Sequence, residues 1–105
     1  MTDKKRAAEF KKMQTSAKKA CEFLKAISNP NRLMLLCEIA ISEKCVSDLE
    51  KNTGIRQPTL SQQLTVLRTK KLVKTRRVGK QIYYSLSSDT AVSIIDILYR
   101  QYCTK

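Results

Sequence analysis

The sequence predicts a single domain that is mainly α-helical with one small β-hairpin. Apolar residues recur at helical spacing along most of the chain, and a late stretch of β-branched and aromatic residues has strand composition. The 105 residues contain only two Gly and two Pro, too few for long loops. An apolar fraction of 42% is that of an ordinary globular protein, and this length supports one modest core. The sequence contains no internal repeat.

Phe10, Met13, Ala17, Ala20, Leu24 and Ile27 lie 3, 4, 3, 4 and 3 residues apart, a seam along which one helix packs on another. Thr15 and Ser16 have capping chemistry and predict a break, giving helices over 4–14 and 17–28. Asn29 followed by Pro30 starts the next helix, the first as cap and the second as a ring suited to the first turn. Leu33, Leu36, Cys37 and Ala40 share one face of it. Ser47 and Glu50 read as an S-x-x-E capping box opening a short helix, which ends at Gly54 because glycine takes positive φ without strain.

Pro58 then sits one or two residues into another helix, in which Leu60, Leu64 and Leu67 repeat on one side. Thr59, Ser61, Gln62 and Thr65 occupy the other side. VKTRRV and KQIYYSL read as two strands joined around Val78, Gly79 and Lys80, and strand alternation sends one of Tyr83 and Tyr84 into the core. Ser87 or Ser88 caps a last helix whose apolar face is Val92, Ile95, Leu98, Tyr99 and Tyr102.

Charge is distributed unevenly. Between Lys51 and Ser88 there is no acidic residue, yet Lys51, Arg56, Arg68, Lys70, Lys71, Lys74, Arg76, Arg77 and Lys80 all lie there. These nine supply three-quarters of the net charge of +12, since the remaining twelve basic residues face all nine acids. Such a local field implies a docking face for a polyanion rather than general solubility.

Two helices joined by a tight Gly-containing turn, the second polar outside and flanked by cations, form a helix-turn-helix. Gln57, Thr59, Ser61 and Gln62 are the candidate readers of double-stranded DNA, because Gln bonds adenine bidentately and hydroxyls both donate and accept. Arg68, Arg76, Arg77 and Lys80 are candidate phosphate contacts, the last three on a hairpin placed as a wing. Structural alternatives remain open at this point: Gln57 as an N-cap, and Gln62 and Gln63 as solvated helix formers. Glu50 departs from the usual pattern, standing four before the turn Gly where a small residue is commonest.

SNPNRLMLLCEIA followed by SDLEKNTGIRQPTLSQQLTVLRTKKLVKTRRVGKQIYYSLS resembles the ArsR family of dimeric winged-helix repressors over nearly the whole chain. The resemblance rests on the NP-x-RL start, the PTLSQQL recognition helix and the basic wing. It implies one winged helix-turn-helix domain over 1–105, with dimerisation helices at 4–28 and 88–103, the helix-turn-helix at 46–70 and the wing at 72–87. It also implies a homodimer through the first and last helices, reading two half-sites about one helical turn apart.

Within that family the usual inducer is a metal, but the motifs are incomplete here. Where the arsenic-type site reads C-V-C-D-L-C, this chain has CVSDLE, leaving Cys45 with Ser47 and Glu50 in place of the other thiols. One thiolate does not make a trigonal sulfur site. The zinc-type site needs His, which is absent, and only Asp89 and Asp96 remain on the last helix. No metal and no cofactor are expected.

Cys37 and Cys103 instead match the dithiol of the persulfide-sensing subgroup of the same family, in which sulfide-responsive and biofilm-associated regulators fall. The resemblance implies that reactive sulfur species bridge the pair and lower operator affinity. Cys21 and Cys45 read as structural or incidental. A direct disulfide needs Cα atoms about 4.4 to 6.8 Å apart, whereas inserted sulfur tolerates a wider pair.

With no His as general base and no carboxylate pair in the basic third, an enzyme is not expected. The start MTDKKRAAEF lacks a signal-type apolar stretch and no run approaches a bilayer span, so a cytoplasmic location without membrane contact is expected. Two alternatives to the thiol-switched repressor follow from the same residues. One is a regulator of this type with a metal or other inducer, and the other is a non-specific architectural DNA binder using charge alone.

Overall fold

The computed structural model describes residues 3–103; the first two and last two positions of the expected 1–105 domain lie outside them. The elements are α1 (Asp3–Ile27), α2 (Pro30–Ile41), β1 (Lys44–Cys45), α3 (Val46–Thr53), α4 (Thr59–Thr69), β2 (Val73–Val78), β3 (Gln81–Leu86) and α5 (Asp89–Tyr102). The mainly α-helical class with a small antiparallel hairpin is therefore observed.

Leu35, Leu36, Leu49, Leu60, Leu67, Leu72 and Ile95 are the largest wholly buried side chains. They draw α2, α3, α4, the loop before β2 and α5 into one core, and Ala26 and Ile27 bring in the end of α1. Leu35 and Ile39 belong to this core as well, so the buried face of α2 is wider than Leu33, Leu36, Cys37 and Ala40 suggested, and Ala40 itself is exposed. The Cα radius of gyration is 17.0 Å, against about 13 Å for a compact chain of this length. The excess comes from α1, which is exposed from Asp3 to Glu22 and joins the body only near its C-terminus.

The expected break in the first helix does not occur: 4–14 and 17–28 form one helix of 25 residues. Thr15 does not cap; its hydroxyl donates to the Lys11 carbonyl one turn back at 3.2 Å, which satisfies the side chain inside a continuous helix. The capping box on Ser47 and Glu50 is not formed either. Pairing of Cys45 with Tyr83 fixes where the short strand ends, so α3 starts at Val46 with Cys45 as N-cap, and Ser47 falls in the first turn. Gly54 ends α3 as expected, with φ 74° and its N–H on the Glu50 carbonyl at 2.9 Å.

Pro58 is the N-cap of α4 and not a residue of its first turn. The far end closes with Lys71 at φ 61° and the Leu72 N–H on the Leu67 carbonyl at 2.9 Å. Both leucines are buried, the apolar contact that accompanies such a reverse. Ser88, rather than Ser87, caps α5 by accepting from the Ala91 N–H at 3.0 Å. Ser87 is occupied elsewhere, its hydroxyl donating to the Lys71 carbonyl.

The sheet has the order β1-β3-β2 and is antiparallel throughout. Val78 pairs with Gln81, leaving Gly79 and Lys80 as a two-residue turn with Gly79 at φ 60°, the conformation such a hairpin demands. β1, only two residues long, has no alternation to read and was not expected.

Asn29 caps α2 by accepting from the Arg32 N–H at 3.1 Å. Replacing Asn29 with Ala is expected to lower unfolding stability by about 1 kcal/mol, seen as a lower urea midpoint with an unchanged slope.

Candidate nucleic-acid interface and thiol pair

Leu60, Leu64 and Leu67 are buried at 0%, 2% and 0% exposure, which leaves the opposite side of α4 facing outward. Ser61, Gln62, Thr65 and Arg68 are exposed there, and Thr59 is half-buried at the start of the helix. Gln57, exposed just before α4, accepts from the Ser61 N–H at 3.0 Å and from its hydroxyl at 2.6 Å. Its side-chain oxygen thus satisfies a first-turn N–H of α4 from the residue before the Pro58 N-cap, while its amide N–H groups keep their donor capacity. Gln57 is therefore not the N-cap residue itself, and its bond to Ser61 leaves its amide N–H groups facing outward. Gln62 makes no side-chain hydrogen bond among the described residues.

The hairpin sends its two arginines to opposite faces, because consecutive strand residues alternate. Arg77 is exposed, with its Nε donating to the Gly79 carbonyl at 3.3 Å. Lys80 is exposed at the tip. Arg76 is engaged within the chain: its Nη2 and Nε donate to the two carboxylate oxygens of Glu43 at 2.5 and 3.2 Å, and its guanidinium lies 5.4 Å from the centre of the Tyr83 ring. The hydrogen bond from Arg76 holds the Glu43 carboxyl below its ordinary range. Sequence reasoning missed Glu43, which stands outside the acid-free segment and reaches it only through the fold. Tyr84 is the tyrosine that packs against the core.

Cys37 is half-buried on α2, and Cys103, at the end of α5, is exposed. Both line one cavity of about 350 Å³ together with Leu33, Met34, Ile41 and Tyr99. Burial pushes the Cys37 thiol above its ordinary value, and the neighbouring Cys103 and Glu38 push it the same way. Cys37 therefore sits in a mostly apolar wall, completed by Glu38, Asn52 and Thr53, that opens onto solvent. Cys45 is buried, its thiol donating to Asp48 at 3.3 Å, and Cys21 lies exposed on α1. Among the described residues no three His, Cys, Asp or Glu side chains gather to hold a metal ion.

Arg32 was also missed as a side chain with a task. Its position in NPNRL marks a helix start, but its acceptors lie on two other helices: the Ala26 and Lys25 carbonyls on α1, and Gln63 on α4. No sequence signal identifies them.

A second helix with an exposed polar face, a glycine turn before it and a basic hairpin after it define the winged helix-turn-helix class of DNA-binding regulators. The family model described as bacterial regulatory protein, arsR family, matches residues 29–75. The chain is 45% identical over 93 residues to a biofilm growth-associated repressor of Xylella fastidiosa, covering 89% of this chain and 82% of that one. It is 37% identical over 94 residues to the transcriptional activator HlyU of Vibrio cholerae, covering 90% and 87%. Among solved structures, reduced HlyU from Vibrio cholerae superposes with a TM-score of 0.85 at 36% identity, over 89% of this chain and 98% of that one. The transcriptional repressor BigR from Xylella fastidiosa gives 0.81 at 43%, over 90% and 97%. The protein belongs to the arsR family of bacterial regulatory proteins. No helix among the described residues is long and apolar enough to cross a membrane.

The raised Cys37 value has a direct consequence for reactivity. Its alkylation rate should rise with pH along a curve whose midpoint lies above that of an unstructured cysteine peptide, because only the thiolate attacks. Mass-resolved iodoacetamide labelling from neutral to strongly alkaline pH measures it, and a midpoint at or below the peptide's contradicts the assigned burial.

Proposed function

We propose that this protein is a homodimeric transcriptional repressor that reads an operator with α4 and leaves it when reactive sulfur joins Cys37 to Cys103. The observation that carries this reading is the shared cavity: the two thiols open into one space between α2 and α5. The repressor name of the relative from Xylella fastidiosa, 45% identical, supports this sign of regulation over the activator name of HlyU, 37% identical.

Gln57, Thr59, Ser61 and Gln62 are the proposed base-edge contacts, with Arg68, Arg77, Lys80 and Arg76 on phosphates. The apolar residues left exposed on α1 and α5 support a two-fold dimer: Phe10, Met13 and Leu24 on the first, Val92, Tyr99 and Tyr102 on the second. Such a stripe on a single chain needs a covering surface.

The switching chemistry balances with inorganic polysulfide as the oxidant. One thiolate attacks a polysulfide chain, keeps part of it as a protein-bound hydropolysulfide and releases a shorter hydropolysulfide or hydrosulfide anion. The second thiolate then attacks that group and expels hydrosulfide, so two thiols are oxidised to a polysulfide bridge, two thiol protons are released and the polysulfide is reduced. The bridge would tie α2 to α5 and shift the helix on which α3 and α4 pack. Cytoplasmic residence follows from this function, since the operator is there.

Two measurements test the reading on an operator selected from a random duplex pool. Cys37→Ser and Cys103→Ser should bind like wild type when reduced and remain bound after polysulfide, while wild type is released; a variant still released shows that the dithiol is not the switch. Replacing Arg77 or Lys80 with Ala should lower the slope of log affinity against log salt by about 0.9 for each phosphate that is no longer neutralised. Replacing Arg76 should lower it less, because Glu43 already holds that guanidinium. An operator affinity no better than that for random duplex identifies an architectural binder instead.

A further inference from the structure

The guanidinium of Arg32 bonds three acceptors on two other helices, the end of α1 and α4. Its Nε donates to the Ala26 carbonyl at 2.6 Å and its Nη2 to the Lys25 carbonyl at 3.1 Å. Its Nη1 donates to the Gln63 side-chain oxygen at 3.0 Å. Lys25 and Ala26 belong to the last turn of α1, whose carbonyls have no partner within the helix and favour a cation. The main-chain N–H of Arg32 is itself held by the Asn29 cap, so the base of this side chain is fixed.

Gln62 and Gln63 are adjacent in sequence yet differently placed. Gln62 is exposed, whereas Gln63 is half-buried and turned to Arg32. Leu60, Leu64 and Leu67 determine which way α4 is rotated, through an apolar driving force that is itself non-directional. A hydrogen bond from a rigid, planar guanidinium is directional and resists a slide along the helix axis.

We propose that Arg32 and Gln63 are a positioning pair that sets α4 relative to the end of α1, and so sets the half-site spacing the dimer reads. This rests on the reading above, in which α1 and α5 join the protomers and α4 enters DNA. The two recognition helices of a dimer are then spaced by a chain of contacts running from α1 through Arg32 to Gln63. Arg32 touches no base in this scheme; it acts through α4.

The test uses the full chain and a set of selected operators whose half-sites are one base pair closer, natural, or one base pair further apart. Gln63→Met keeps side-chain length and helix propensity but removes the acceptor. It is expected to raise the Kd for the natural spacing about tenfold, as for removal of one hydrogen bond to a charged group. It should also flatten the dependence on spacing, with the thermal midpoint and affinity for random duplex unchanged. Arg32→Lys, whose single nitrogen replaces the three separate guanidinium nitrogens that reach α1 and α4, should flatten it as well. Wild-type spacing preference with Gln63→Met indistinguishable from it overturns the positioning role alone. A wild type that does not prefer operator over random duplex overturns the DNA-reading assignment and this inference together.

Discussion

The burial of Leu60, Leu64 and Leu67 in one cluster with Leu35, Leu36 and Leu49 decides which way α4 faces. Fully burying each leucine is worth about 1.5–3 kcal/mol, so a turn of α4 about its axis that exposed them would cost more than any surface contact could return. The outward set of Ser61, Gln62, Thr65 and Arg68 follows as the complement of that burial. α3 and the Gly54 turn serve the same arrangement, since Leu49 and Ile55 seal the core beside α4 while the chain reverses between the helices.

Electrostatics act on top of this frame without building it. The acid-free segment covers α4 and the wing, and most of its cations are exposed without an ion pair among the described residues. Arg76 is the exception through Glu43, contributed by the loop before β1. An exposed ion pair of this kind is a weak hold, and a phosphate offers the same fork-shaped pairing to the guanidinium. Glu43 therefore engages Arg76 in the free protein while leaving it exchangeable. Tyr83, beneath the guanidinium, keeps the side chain extended across the sheet.

α2 connects the two proposed activities. It carries Arg32 near its start and Cys37 near its middle, and its buried residues form the floor on which α4 rests. A helix of 12 residues moves as a rod, so a bridge from Cys37 to α5 acts on the same body that holds Gln63 through Arg32. Burial in the wall around Cys37 raises its thiol above the ordinary value, and the cavity that it shares with Cys103 is open to solvent. A thiol with a raised pKa is a slower nucleophile than a free cysteine, because less of it is thiolate.

Local patterns were sufficient for everything that short-range chemistry controls. Helical spacing located α4 and its buried leucines, Asn29 with Pro30 located the start of α2, Gly54 located the turn, and the charge asymmetry located the exposed basic surface of α4 and the wing. The errors arose where a residue's local preference met a partner far away in sequence. Thr15 could cap or bond back within a helix, and a continuous α1 decided it; Ser47 could cap α3, but Cys45 pairing with Tyr83 moved the start. The pairing of Arg76 with Glu43, the bond from Arg32 to Gln63 and the shared cavity of Cys37 and Cys103 link residues 31 to 66 positions apart. Composition and periodicity carry no information on such contacts, because they depend on how the packed helices and sheet bring distant side chains within bonding range.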